Sequence, residues 1–241
     1  MVHSTPYQIY AIGDQGITLD YGGEINESVN SKIFKLFQLL KDWQPEAVLD
    51  IIPAYHSISL IYDFIKVKKL AGSNTAYSYL ESKLRQMEAQ LTDTNALSAQ
   101  RKIDIPVCYD LSVAPDLEEL ATSHELTVKA FIEFHIQKSY RVYMIGFMPG
   151  FAYMGTVDQR IISPRKANPR THVPAGSVGI AGAQTGIYPF DSPGGWQIIG
   201  QTPVLLFDAN KEKPTLLEPG DEVMFHPISL DEFHHLKKKS S

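Results

Sequence analysis

A single cysteine, Cys108, stands in 241 residues. No internal disulfide can form, and the apolar, strand-like IPVCY context of the thiol points to a reducing compartment. Basic charge is also short, with 22 Lys and Arg against 27 Asp and Glu for a net charge of −5, so a dedicated nucleic-acid binder is excluded. No run approaches the ~20 apolar residues needed to cross a bilayer. The opening MVHSTPYQIYAIGDQG has neither the basic nor the apolar region of a secretion signal. A cytoplasmic location without a membrane partner is therefore expected. Familiar catalytic signatures are missing too: there is no G-x-x-x-x-G-K-[ST], no G-x-S-x-G and no H-E-x-x-H. His226 precedes a proline near a strand end and His234 and His235 lie by the C-terminus, so they read as surface or packing histidines and no metal site is expected.

What is present divides into two halves. An apolar fraction of 44% suits a globular chain with a real core. Residues 1–95 read as a small α/β domain. Strands over Tyr7–Ala11 and Gly16–Tyr21 precede a helix that Asn26 would cap, with Val29, Ile33, Leu36, Phe37 and Leu40 at helical spacing until Pro45. A strand pair follows at Ala47–Ile52 and Ser57–Tyr62, then a second helix over Ala76–Leu91, giving two helices on one face of a mainly antiparallel sheet. The polar stretch 92–100, TDTNALSAQ, marks a boundary. Residues 100–236 form the second domain. In it, Arg101–Tyr109 is a strand whose Pro106 suggests an edge or a bulge, and Asp116–Ser123 and Thr127–Lys138 read as short helices. Beyond them lie short strands, including Val204–Phe207 and Glu222–Phe225, as in a barrel or sandwich. Lys237–Lys239 reads as a solvated tail. The class is α+β.

Function concentrates between Gly146 and Trp196, which hold nine of the sixteen glycines. From Gln159 to Phe190 there is no Asp or Glu, whereas Arg160, Arg165, Lys166, Arg170 and His172 all lie there, a charge balance that favours an anionic ligand. Arg165 and Arg170 carry planar forks suited to carboxylate or phosphate. Gln184 and Thr185 offer short neutral polar groups between glycines. Phe151, Tyr153, Tyr188 and Trp196 would wall the same pocket and exclude water. The competing reading keeps the basic residues solvated, the glycines in turns and the aromatics in the core. Asp191, before Ser192-Pro193-Gly194-Gly195, reads as turn chemistry.

The runs GFMPGFAYMG (146–155), PRKANPRTHVPAGSVGIAGAQTGIYP (164–189), SPGGWQIIGQTPVLLFD (192–208) and PGDEVMFHPI (219–228) resemble the KipI/PxpB family, also called allophanate hydrolase subunit 1-like proteins. IPVCYD (105–110) and the first half are similar as well, with Gln201 standing where the family usually shows Arg. The resemblance implies a small α/β N-terminal domain followed by a cyclophilin-like β-barrel domain. It implies the B subunit (PxpB) of a prokaryotic 5-oxoprolinase, which opens 5-oxoproline to glutamate using ATP, with PxpA-like and PxpC/KipA-like proteins as partners. A minority of members imply another role, inhibition of a sporulation histidine kinase. Under the enzyme reading, the expected substrate contacts are Arg165, Arg170, His172, Gln184, Thr185, Tyr188, Trp196 and Phe151. No catalytic nucleophile or ATP-binding loop is evident in the chain.

Overall fold

The computed structural model describes residues 7–23, 26–91 and 101–240; the polar stretch 92–100 lies outside the described residues. The chain divides into two compact units, Met1–Ala99 and Gln100–Ser241. The first contains β1 (Gln8–Ile12), β2 (Gly16–Asp20), α1 (Glu27–Trp43), β3 (Val48–Pro53), β4 (Ser57–Tyr62), α2 (Phe64–Ala71) and α3 (Ala76–Glu88). Its strands pair antiparallel in the order β1-β2-β4-β3. Alternation along β4 turns Ile58, Leu60 and Tyr62 inward. There they meet Ile33, Leu36 and Leu40 of α1 and Leu80 and Leu84 of α3 in one core. Asn26 caps α1 by accepting from the backbone N–H groups of Ser28 and Val29. Helix α2 carries no apolar periodicity that would announce it, because Phe64, Ile65 and Leu70 are exposed and only Val67 and Ala71 are buried. Its start is fixed by Asp63, whose carboxylate accepts from the Lys66 N–H.

The second unit contains β5 (Lys102–Cys108), α4 (Leu117–Ser123), α5 (Val128–Ile136), β6 (Tyr140–Ile145), β7 (Ala152–Gly155), β8 (Arg170–Val173), β9 (Ser177–Ala181) and β10 (Gln184–Ile187). After these come β11 (Ser192–Gly194), β12 (Gln197–Gln201), β13 (Glu222–Ile228) and α6 (Leu230–Ser240). Seven strands close into a barrel in the order β10-β7-β6-β13-β5-β12-β9, and β8 pairs separately with β11. The α+β class and the barrel are thus as the resemblance implied. Closure removes the open edges an antiparallel sheet would otherwise expose.

Three local expectations change. Pro106 makes no bulge, for β5 runs parallel to β13 in unbroken register from Lys102↔Glu222 to Cys108↔Ile228. On its other side β5 meets β12 only at Cys108↔Gln201, so the donor that Pro106 lacks interrupts no ladder. Val204–Phe207 is not a strand. After Pro203 the chain is held by single contacts, such as Leu216 N–H to the Leu206 carbonyl. Lys237–Lys239 are solvated as expected, yet they form the last turn of α6 rather than a tail, anchored by buried Phe233. Cations there complement the negative end of the helix dipole.

Barrel and helices share one core, in which Leu117, Leu120 and Phe131 pack with Val142, Met154, Val178, Ile187 and Ile199. A polar chain crosses it. The Thr185 hydroxyl donates to the Gly179 carbonyl at 3.1 Å, which leaves its oxygen to accept from His135 Nε2 at 3.0 Å. His135 Nδ1 then accepts from the Tyr109 hydroxyl at 2.8 Å. Every polar atom in this chain of contacts is satisfied, as a dry interior requires. Complete burial pushes the His135 pKa down to about 3, so the ring is neutral.

Candidate functional site

Outside the barrel, a cavity of about 210 Å³ is lined by Phe147, Tyr153, Arg165, Pro169, Tyr188, Pro193, Gly194, Gly195 and Trp196. Its floor is aromatic. Phe151 meets Tyr153, Tyr188 and Trp196 edge-on with ring centroids 4.8, 5.2 and 5.3 Å away, an arrangement worth about 0.5–1.5 kcal/mol per pair beyond simple burial. Gly186 makes this packing possible, since a side chain there would press on the Phe151 and Trp196 rings at 3.0 Å. Gly194 lets strand β11 pass the Tyr188 ring, whose Cζ would lie 2.8 Å from an added Cβ. Phe147, 64% exposed and with a left-handed φ of 67°, stands at the rim. A bulky side chain at such a φ is strained.

Arg165 supplies the charge. Its guanidinium stands 6.0 Å above the Trp196 ring, and among the described residues no carboxylate pairs with it. Its field reaches both phenols. Burial raises the pKa of Tyr153 and Tyr188, and Arg165 opposes the rise at each. An anion in the cavity would therefore meet one exposed cation over apolar walls.

Arg170 and Lys166 face elsewhere. Arg170 closes both arms of its fork on Asp116, with Nη1 to Oδ2 at 2.8 Å and Nη2 to Oδ1 at 2.5 Å, while Lys166 Nζ reaches Asp116 Oδ1 at 2.9 Å. Asp116 is 1% exposed, and it also accepts from the Ile198 N–H at 2.6 Å. Burial alone would raise this carboxyl's pKa, but the hydrogen bonds from Arg170, Lys166 and Ile198 outweigh it and hold the group below the ordinary carboxylate value. Two of the cations in the acid-free stretch 159–190 thus share one acid that lies 50 and 54 residues upstream of them.

Of the residues expected from the sequence, Arg165, Tyr188 and Trp196 line the cavity and Phe151 supports it from below. His172 is exposed, with Nε2 3.9 Å from Asp191, and Asp191 accepts from the Ala175 N–H sixteen residues upstream, a long-range contact rather than the local turn bond expected. Gln184 pairs with Gly155 and Ala181 in the barrel ladder, and Thr185 belongs to the interior polar chain. Asp116 and His135 escaped sequence reasoning. Asp116 resembled an ordinary helix start, yet it makes no side-chain cap to α4. The absence of a local cap partner becomes visible only in three dimensions.

Among the described residues that line the cavity, no nucleophile is paired with a base. His124 Nε2 lies 2.9 Å from Ser163 Oγ, but that buried hydroxyl donates to the Ile161 carbonyl at 3.0 Å and is committed. Among the described residues no group of three or more His, Cys, Asp or Glu could hold a metal ion. No helix among them is long and apolar enough to cross a membrane.

The family described as carboxyltransferase domain, subdomain C and D, matches residues 7–217. The B subunit of 5-oxoprolinase from Bacillus subtilis (strain 168) is 39% identical, over 98% of this chain and 98% of its own length. The protein of the same name from Escherichia coli O157:H7 is 36% identical over 90% and 94%. The crystal structure of TTHA0988 superposes with a TM-score of 0.76 at 36% identity, covering 89% of this chain and 40% of that one. Urea carboxylase of Kluyveromyces lactis shares the fold, with a TM-score of 0.75 at 19% identity over 97% of this chain and 23% of that one. This chain therefore spans less than half the length of either solved chain.

Proposed function

The chain belongs to the family of carboxyltransferase domains, subdomains C and D, and from that premise we propose that it is the B subunit of an ATP-dependent 5-oxoprolinase. It acts with PxpA-like and PxpC-like partners to hydrolyse 5-oxo-L-proline to L-glutamate. The observation that carries this reading is end-to-end similarity to the B subunit of a bacterial 5-oxoprolinase, over 98% of both chains. The cavity adds a chemical argument. The substrate is a small flat lactam with one carboxylate, and the Arg165 fork over the Trp196 face offers both a cation for the carboxylate and an apolar wall for the ring.

A lactam carbonyl is a poor electrophile, and ATP cleavage in the complex supplies its activation. This cavity by itself is too small for the nucleotide, since about 210 Å³ is below the ~300–1,000 Å³ typical of small-molecule sites, and the sequence carries no phosphate loop. The role of this chain is to bind and orient. Holding the ring against Tyr188 and Trp196 excludes water from the carbonyl until activation and lowers the entropy cost of reaction. The complex works in the cytoplasm.

The test is 5-oxoproline-dependent ATP hydrolysis by the chain alone and by the chain reconstituted with its PxpA-like and PxpC-like partners. Turnover is expected only from the reconstituted set. A fully assembled complex that ignores 5-oxoproline would refute the reading.

A further inference from the structure

We propose that Asp116 is a positioning residue: by gripping the loop before β8 and the start of β12 at once, it sets Arg165 over Trp196 and so fixes the anion-binding geometry of the cavity. The inference rests on the reading of that cavity as the substrate site. Its physical basis is where the four bonds of one buried carboxylate go. Lys166 follows Arg165 directly, and Arg170 follows the cavity wall Pro169, so each cation held by Asp116 is the immediate chain neighbour of a loop residue that faces the ligand. The Ile198 N–H, two residues beyond Trp196, is held by the same carboxylate, and the Asp116 N–H donates back to the Ile198 carbonyl at 3.0 Å. Two more contacts tie the walls to each other: Lys166 N–H to the Gly195 carbonyl at 2.8 Å and Gln197 Nε2 to the Pro164 carbonyl at 3.1 Å. None of them spans from loop to strand through a charged group except Asp116.

The same arrangement selects the cation available to a ligand. Lys166 and Arg170 are both turned onto Asp116 and share its one negative charge, whereas Arg165 is left to the cavity. A monoanion therefore meets a single fork at a fixed height above an indole, rather than a diffuse basic patch.

The experiment uses the full chain with Trp43→Phe, which leaves Trp196 as the one indole of the two in the sequence. Acrylamide quenching of Trp196 and its emission maximum are read in the Asp116→Asn variant. This variant keeps an oxygen for Ile198 but releases both cations. Stronger quenching and a red shift are expected as the loop lifts away. In the reconstituted complex, Asp116→Asn should raise the KM for 5-oxoproline roughly tenfold, the size expected for one charge-assisted contact, with kcat within about threefold. Arg165→Gln should do the same. The double variant should be no worse than the poorer single one, because Asp116 acts through Arg165. Arg170→Lys, which keeps the charge but loses the fork, reports on the same hub should Asp116→Asn fail to fold. A lowered Tm with Trp196 quenching and KM unchanged would reduce Asp116 to a structural ion pair and overturn the proposal, as would additive KM effects. Altered quenching with KM unmoved in both Asp116→Asn and Arg165→Gln would uphold the hub and instead remove the substrate from this cavity.

Discussion

The basic side chains of the 159–190 stretch are alike in the sequence, yet each has a different fate, decided by which carboxylate reaches it. Arg160 is held by Asp158 at 2.7 Å and lies 3.6 Å from the Phe134 ring centre, and none of the three lines the cavity. Arg160→Lys is therefore expected to leave the KM for 5-oxoproline unchanged, in contrast to Arg165→Gln in parallel steady-state assays. Equal KM effects would show that the segment supplies only a diffuse field. Titration separates two buried groups in the same way. His135 is neutral in the fold with its pKa lowered from 6.5 to about 3, so below pH 6.5 the unfolded chain binds a proton that the native chain refuses. Stability should then fall as pH drops from 6.5 towards 3, by up to about 1.4 kcal/mol per unit. Asp116 has a depressed pKa, so its contribution is present above the ordinary carboxylate value of about 4 and is lost only as pH drops below that. Urea titrations from pH 7 to 4 should show a shallower slope for His135→Gln than for the natural chain. An unchanged slope would mean that the ring is charged, or solvated, in the native state.

At the scale of elements, much of the first unit was legible because its core follows simple periods. The alternation of β4 and the helical spacing of Ile33, Leu36 and Leu40 each place side chains on one face, and the structure buries those side chains. Helix α2 was illegible for the converse reason, since its exposed Phe64, Ile65 and Leu70 break any apolar stripe. For the cavity, the aromatic walls and Arg165 were foreseeable from residue type, whereas Asp116 was not: its partners are 50 and 54 residues away in sequence, and no local pattern encodes such a pairing. Thr185 was misread for a related reason. Lying between glycines suggested a polar group within reach of a ligand, but the residue belongs to a barrel strand that turns the hydroxyl inward. The glycines of β11 and its exit permit a sharp comparison. A Cβ on Gly194 would collide with the Tyr188 hydroxyl, whereas one on Gly195 would meet Pro169 at an ordinary 3.6 Å. Gly194→Ala should cost about 1–3 kcal/mol through overpacking and deform the cavity wall, while Gly195→Ala should be close to neutral in thermal unfolding. Equal Tm values for the two would show that β11 is free to move away from Tyr188.

For the molecule as a whole, the decisive property is the separation of binding from chemistry. The chain has an anion-friendly aromatic cavity, no phosphate loop, and a Ser–His contact whose hydroxyl is already committed. A protein built in this way should recognise the ring without transforming it. With Trp43→Phe, the isolated chain is expected to report 5-oxoproline through a change in Trp196 fluorescence. The response should saturate, weaken as salt screens Arg165, and be lost in Arg165→Gln. ATP at the same concentration should leave the signal unchanged, because the cavity is too small for a nucleotide, and no glutamate should form until the PxpA-like and PxpC-like partners are added. L-Glutamate is a useful control. Ring opening replaces the flat amide by a second carboxylate and an ammonium group, so the product should compete poorly for a site with one fork and apolar walls. Displacement of 5-oxoproline by ATP alone would place the phosphate site within this chain, and the division of labour within the complex would have to be redrawn around it.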